Sequence, residues 1–253
     1  MKLTIGTILG SRDVGIECEV KAFESRQALT DALLLGEIHA FWYPLVGLPV
    51  NLPTELAITA VSERENPALA LYMRTDLFTP GEIFKLKKGA AVIANAPGID
   101  AQLADIRPDV RFVSGGGLDD LKSEVADALI LPVSQAPGPS DEYFVLELNP
   151  REFFPLPGQG VWAFVCLRSD TATRLVLKAA HHPEVSACTN VERGLLKSLG
   201  QEWEGRLAAC CQRDANGNYH AGAALLSEKG LLRAYASSST YLGLVEALKG
   251  RLG

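Results

Sequence analysis

The side chains that could do chemistry are few and spread along the chain. Five cysteines stand at positions 18, 166, 188, 210 and 211, with no Cys-x-x-Cys pair among them. The odd count and the absence of paired spacing argue against both a disulfide framework and a thiolate metal site. Four histidines at 39, 181, 182 and 220 lack the i,i+4 or clustered spacing that holds a zinc ion, so no metal is expected. Gly115-Gly116-Gly117 before a predicted helix could cradle an anion with its backbone amides, although a flexible turn explains the run as well. Gln159-Gly160 reads either as a residual binding element or as a tight turn between segments. Phe41-Trp42-Tyr43 are either strand residues packed on a core or the wall of an aromatic pocket. Asp119-Asp120 reads as a solvated helix start, where the dipole favours acid.

The elements that must position these residues alternate short apolar runs with helix-period segments, the pattern of an α/β chain. Strands are expected over 2–5, 17–22, 40–43, 55–62, 68–73, 90–94, 111–113, 128–133, 143–148 and 161–167. Helices are expected over 25–35, from 73 to near 89, and over 99–105, 118–124, 170–180, 184–199 and 241–252. Leu29, Ala32 and Leu33 share one face of the first helix at three- and four-residue spacing. After residue 200 come three alternating segments, 206–213, 218–225 and 230–236, punctuated by the hairpin signals Asn216-Gly217 and Lys229-Gly230. They predict a small α+β unit around a three-stranded antiparallel sheet.

Composition narrows the function classes. The chain has 253 residues, 47% of them hydrophobic and 21% charged, which is ordinary for a globular protein. Thirty acidic against 24 basic residues leave a net charge of −6, which disfavours nucleic acid and anionic membranes as partners. No apolar run approaches the roughly 18–20 residues that cross a bilayer. A cytoplasmic protein is expected, since the first residues, Met1-Lys2-Leu3-Thr4-Ile5, lack the apolar core of a signal peptide.

Six segments, in order, resemble the porphobilinogen deaminase (hydroxymethylbilane synthase) family. Leu156-Pro157-Gly158-Gln159-Gly160 is similar to its L-P-x-x-G-Q-G signature, and Ala126-Asp127-Ala128-Leu129-Ile130-Leu131 to its Y-D-A-I-I-L strand. Ala101-Gln102-Leu103 with Arg107-Pro108-Asp109 matches A-Q-L-x-x-x-R-P-D. Glu192-Arg193 falls on the family's A-E-R helix, and Arg64-Glu65-Asn66-Pro67 on its R-E-D-P turn between domains. The resemblance implies two α/β domains like those of periplasmic binding proteins, over 1–63 with 160–180 and over 66–157. It adds a small α+β C-terminal domain over 184–253. It also implies an enzyme that builds hydroxymethylbilane from four porphobilinogen molecules on a cysteine-bound dipyrromethane cofactor.

The residues that such chemistry needs are absent where the motifs place them. The Lys and Asp of H-S-x-K-D-x-P fall on Val46 and Gly47, so the carboxylate that would stabilise an azafulvene cation is lost. The arginines of S-S-L-R-R fall on Gly98 and Ile99. Those of R-G-N-x-x-T-R-L fall on Ser114 and Asp120, the second a reversal of charge. A growing chain of carboxylate-bearing pyrroles needs such guanidinium groups. G-T-R-x-S is cut to Gly6-Thr7-Ile8, and the helix that follows it in the family is largely missing. The cofactor cysteine falls on Trp203. Cys210 and Cys211 lie seven and eight residues farther along, about 20 Å on an extended strand.

The expectation is therefore a family scaffold without its deaminase site: no dipyrromethane, and either a small-molecule ligand in the interdomain cleft or a protein partner. Gly115, Gly116, Gln159 and Gly160 are the residual binding candidates. The alternative is an active hydroxymethylbilane synthase with a rebuilt site.

Overall fold

The computed structural model describes residues 2–8 and 14–253. Two compact units emerge, one from residues 1–65 and 158–190, the other from 66–157 and 191–253.

The first unit is built on a five-stranded mixed sheet. Its strands are β1 (Leu3–Ile8), β2 (Cys18–Phe23), β3 (Ala40–Pro44), β4 (Leu56–Val61) and β10 (Trp162–Leu167), in the order β2-β1-β3-β10-β4. β1 runs parallel to β2 and β3, whereas β10 is antiparallel to both of its neighbours. Helix α1 (Arg26–Leu34) covers part of one face. Ser25 caps it, its Oγ accepting from the Ala28 amide at 3.1 Å. Leu29, Ala32 and Leu33 are buried as their spacing predicts, and Gly36 at φ +75° ends the helix. Phe41 and Trp42, adjacent on β3, enter opposite cores. Phe41 packs with Leu29, Leu33 and Val165, while Trp42 lies 4.3 Å from the Phe164 ring and 5.7 Å from that of Trp162. The missing first-domain helix falls partly on residues 9–13, outside the described residues; residues 14–17 form none, and Glu19–Ala22 of β2 are exposed.

The second unit repeats that sheet topology. Its strands are β5 (Leu69–Arg74), β6 (Ala91–Ala94), β7 (Arg111–Phe112), β8 (Ala128–Pro132) and β9 (Tyr143–Leu148), in the order β7-β6-β8-β5-β9. Two parallel pairings are again followed by two antiparallel ones. Helix α2 (Pro97–Ile106) follows β6, opening on Pro97, whose missing amide is no loss in a first turn. A short helix α3 (Asp119–Lys122) precedes β8. In the first unit, β10 is followed by α4 (Thr171–Leu177), and α5 (Pro183–Leu199) carries the chain back to the second.

Strands β11 (Leu207–Arg213), β12 (Tyr219–Ser227) and β13 (Gly230–Ser238) form the expected three-stranded antiparallel sheet, and α6 (Leu244–Leu252) packs against it. The boundaries 184–253 anticipate a separate domain, whereas the sheet falls in one compact unit with residues 66–157. Ala208, Cys210 and Ala224 share one core with Leu71, Met73, Val92, Leu103 and Phe154. The joint is polar as well as apolar. Gln102 on α2 is fully buried, its Nε2 donating to the Phe154 carbonyl at 2.9 Å and its Oε1 accepting from the Phe154 amide at 2.7 Å. At the next residue, the Pro155 carbonyl accepts from the Ala209 amide of β11 at 2.8 Å.

The helix expected between 73 and 89 is not formed. Residues 75–77 and 83–85 make single 3₁₀ turns, and Phe84 and Lys85 lie in the left-handed region at φ 57° and 59°. Pro80-Gly81 interrupts the helical ladder. Arg107 then gathers the freed carbonyls: its guanidinium donates to those of Ile83 (2.7 Å), Leu86 (2.9 Å) and Lys87 (3.1 Å), and forks onto both carboxylate oxygens of Asp109 at 2.7 Å. Arg107 is 4% exposed. Arg107→Ala is expected to lower the unfolding free energy by about 1–3 kcal/mol in urea melts, because the buried Leu86 carbonyl and two half-buried ones lose their partner. Arg107→Lys should recover less than half, since an ammonium cannot make the fork. Equal stability of wild type and Arg107→Ala would remove the organising role given to this residue.

Candidate functional site

The positions singled out by sequence fall on both units. In the first, residues 45–47 form a 3₁₀ turn directly after β3. The Tyr43 ring lies over Gly47, so a Cβ placed on that glycine would sit 2.7 Å from Tyr43 Cε1. Arg26 donates to the Gly47 carbonyl at 2.6 Å, which holds the turn from its other side. Val46 beside it is half-buried. The place where the motif puts an aspartate is thus filled by an aromatic ring. Gln159 and Gly160 form a turn packed into the same unit. The Gln159 carbonyl accepts from Arg64 Nε at 3.1 Å and the Gly160 carbonyl from the Glu65 amide at 2.8 Å, while Gln159 is 5% exposed. Gly158 and Gly160 take φ +84° and +75°, a conformation other residues adopt only under strain.

In the second unit, Gly98 occupies the first turn of α2. Its amide donates to the Gly205 carbonyl at 2.8 Å, and a Cβ there would meet the Arg206 carbonyl oxygen at 2.7 Å. No side chain fits without moving backbone. Ile99, the next position, is 4% exposed and belongs to the shared core. The fold therefore brings Gly98 together with the segment after Trp203. Trp203 itself lies in a 3₁₀ turn over 201–203, half-buried, with the Arg206 guanidinium 4.9 Å from its ring centroid. Neither nearby thiol replaces it in that loop. Cys210 and Cys211 are both buried on β11, and the Cys211 amide donates to Glu192 Oε1 at 2.7 Å.

Asp120 departs from the solvated helix start expected of it, although Asp119 conforms, 95% exposed and 3.2 Å from Lys122. Asp120 Oδ2 accepts from the amides of Gly116 (2.8 Å) and Gly117 (3.0 Å), which hold its carboxyl below the usual carboxylate range. The glycine run does bind an anion, and the anion is its own Asp120. Ser114, ahead of it, is exposed.

One carboxyl stands without compensation. Asp100 Oδ1 on α2 is buried with no hydrogen-bond partner among the described residues, and burial pushes the group up to about 6. Sequence reading passed over Asp100, as it did a cavity of about 380 Å³ on the third sheet lined by His220, Tyr235 and Ser237. The two-residue spacing of His220 with Gly222, and of Tyr235 with Ser237, was the available signal for that shared face. Among the described residues, no group of three or more His, Cys, Asp or Glu side chains is arranged to hold a metal. No described helix is long and apolar enough to cross a membrane.

A family model described as "Porphobilinogen deaminase, dipyromethane cofactor binding domain" matches residues 20–175. That is more than half of the chain. The chain belongs to the porphobilinogen deaminase family. The porphobilinogen deaminase of Thermobifida fusca (strain YX) is 35% identical over 182 residues, covering 68% of this chain and 55% of that protein. The porphobilinogen deaminase of Geobacter sp. (strain M21) is 30% identical over 176 residues, covering 66% and 53%. The chain thus spans about half the length of the curated relatives it matches. Among solved structures, the VFT2 domain of Bordetella pertussis BvgS (double mutant F375E/Q461E) aligns over 70% of this chain and 85% of that one, at 16% identity and a TM-score of 0.44.

Two outcomes follow for a deaminase-family chain with these contacts. Gly47→Asp is expected to cost about 1–3 kcal/mol in chemical denaturation through overpacking against Tyr43. That cost should shrink in a Tyr43→Ala background; equal costs in both backgrounds would show that the ring is not the obstacle. For Asp100, the folded chain keeps a proton that the unfolded chain releases in the ordinary carboxylate range near pH 4. The stability linked to that proton is complete below about pH 4 and is lost as pH rises through about 6. Asp100→Asn should accordingly raise Tm more at pH 7.5 than at pH 4, and a gain independent of pH would refute the linkage.

Proposed function

We propose that this member of the porphobilinogen deaminase family does not polymerise porphobilinogen and acts by binding a small ligand or a protein partner. The observation that carries the reading is that the positions lost from the motifs are taken over by the chain's own atoms. A tyrosine ring covers Gly47, backbone carbonyls close over Gly98, Ile99 has joined the core, and Asp120 fills the glycine nest. Sites used in this way have no room for the aspartate and arginines of the motifs. Asp120 adds negative charge where the family's arginine would neutralise substrate carboxylates. A polyanionic oligopyrrole is the ligand this surface suits least, because each unpaired carboxylate would be desolvated without a partner.

Attachment of dipyrromethane fails on the same reading. Trp203 offers carbon and an indole N–H, and forms no thioether. Cys210 and Cys211 sit inside strand β11, outside the loop that carries Trp203, and a cofactor tethered to the buried Cys211 would have to displace core packing. The five cysteines, none of them in a disulfide, suit the reducing cytoplasm that the reading assigns to this protein.

The purified chain, denatured and treated with Ehrlich's reagent, is expected to give no dipyrromethane colour, and the native chain to leave porphobilinogen unconsumed. Colour together with turnover would establish the alternative, an active synthase with a rebuilt site. A thermal-shift screen then separates the two binding modes, since a small molecule specific for the folded state raises Tm in proportion to its saturation.

A further inference from the structure

The face of the third sheet that packs on α2 and Phe154 ends in a depression, and there it carries a constellation unrelated to the motif positions. Gln212, His220 and Ser237 are register partners across β11, β12 and β13 and form one row. Cys210, Gly222 and Tyr235 form the next row on the same face. Gly222 has no side chain, and the Phe154 ring takes the space above it, 2.3 Å from where a Cβ would lie. Beside that ring lies the cavity of about 380 Å³, lined also by Cys210, Tyr235 and Arg151.

Two of its lining residues, His220 and Ser237, are linked in series with Asp214, which lies outside the lining. Asp214 Oδ2 lies 3.0 Å from His220 Nε2, and His220 Nδ1 lies 2.9 Å from Ser237 Oγ. The chemistry of the pair fixes the tautomer. The His220 ring and the hairpin amides of Asn216 and Asn218 hold the Asp214 carboxyl down to about 2, so it has no proton to give at neutral pH. Nε2 must therefore carry the hydrogen, and in the neutral ring Nδ1 presents its lone pair to the Ser237 hydroxyl. These are the roles of an acid–base–nucleophile relay, with the two ring nitrogens exchanged relative to the usual triad. Ser237 is exposed, and Arg151 Nε donates to Gln212 Oε1 at 3.2 Å, which places a guanidinium and a carboxamide on the same cavity wall.

We propose that this cavity is an acyl-transfer site for small carboxylic esters, with Ser237 as nucleophile, His220 as general base and Asp214 as positioning residue. Ser237 Oγ forms a bond to the ester carbonyl carbon while its proton passes to His220 Nδ1. The carbonyl π electrons move onto oxygen, in a cavity whose wall carries the Arg151 guanidinium. Collapse breaks the bond to the alcohol oxygen, which leaves with the proton from His220. Water then repeats the sequence on the acyl-serine, releasing the acid and restoring the hydroxyl. Water is the sole co-reactant. The volume suits an acyl group of a few carbons beside the Tyr235 and Phe154 rings.

The test uses the whole chain with p-nitrophenyl acetate and butyrate, and a fluorophosphonate probe followed by peptide mapping. The expected result is a phosphonyl adduct on Ser237 and ester hydrolysis that falls about 100-fold or more in Ser237→Ala. Asp214→Asn, whose amide can donate to Nε2 and flip the tautomer, should lower kcat with KM unchanged. Mapping on the wild-type chain needs no variant to fold. A folded wild type that takes no adduct overturns the proposal, as does an adduct on Cys210, or hydrolysis unchanged in Ser237→Ala.

Discussion

The second unit depends on a carboxamide that has no water to turn to. Gln102 is fully enclosed and spends both ends of its amide on the backbone of Phe154 and on the Gly98 carbonyl. A buried amide without partners costs kilocalories, so this register of α2 against residues 153–156 is strongly preferred to its neighbours. Through Pro155 and Ala209 the same segment fixes β11, and through β11 the third sheet. The shared core of the two sheets follows from this polar joint as much as from the apolar residues around it.

Read in this light, the motif residues that match the family and those that do not fall into two physical groups. Gln102, Arg107, Asp127 and Glu192 match, and each satisfies backbone inside the chain. Asp127 accepts from the Ala91 amide at 2.8 Å and pairs with Lys87 at 2.9 Å, while Glu192 accepts from the Cys211 amide. Val46, Gly47, Gly98, Ser114, Asp120 and Trp203 depart from it. A Cβ on Gly47 would press on the Tyr43 ring, and one on Gly98 on the Arg206 carbonyl. Retention of the scaffold residues follows from one constraint. Buried hydrogen-bond partners cannot be dropped without unfolding, whereas groups that face a ligand can.

The nest at residues 115–117 illustrates how charge can be replaced without changing the backbone. Two glycine amides point at one spot and favour an anion there, whatever its source. Asp120 supplies that anion from within the chain. A single internal carboxylate therefore occupies both of these amides.

Strand and helix order, the hairpins of the third sheet and the matched motifs were legible in the sequence because they rest on local periodicity, turn chemistry and fixed spacings. Pro80-Gly81 also signalled a break in the segment before residue 89, yet the helix was expected there because the carbonyls gathered by Arg107 lie about twenty residues away along the chain. Sequence likewise gave the identities at 47, 98, 120 and 203 but not their contacts. That a ring lies on Gly47, that a carboxylate fills the nest, that the third sheet joins the second core, and that Asp214, His220 and Ser237 meet across two strands were decided by tertiary packing. Each depends on pairing between segments whose separation no local pattern encodes, and the energy that selects it comes from burying groups that the linear chain leaves apart.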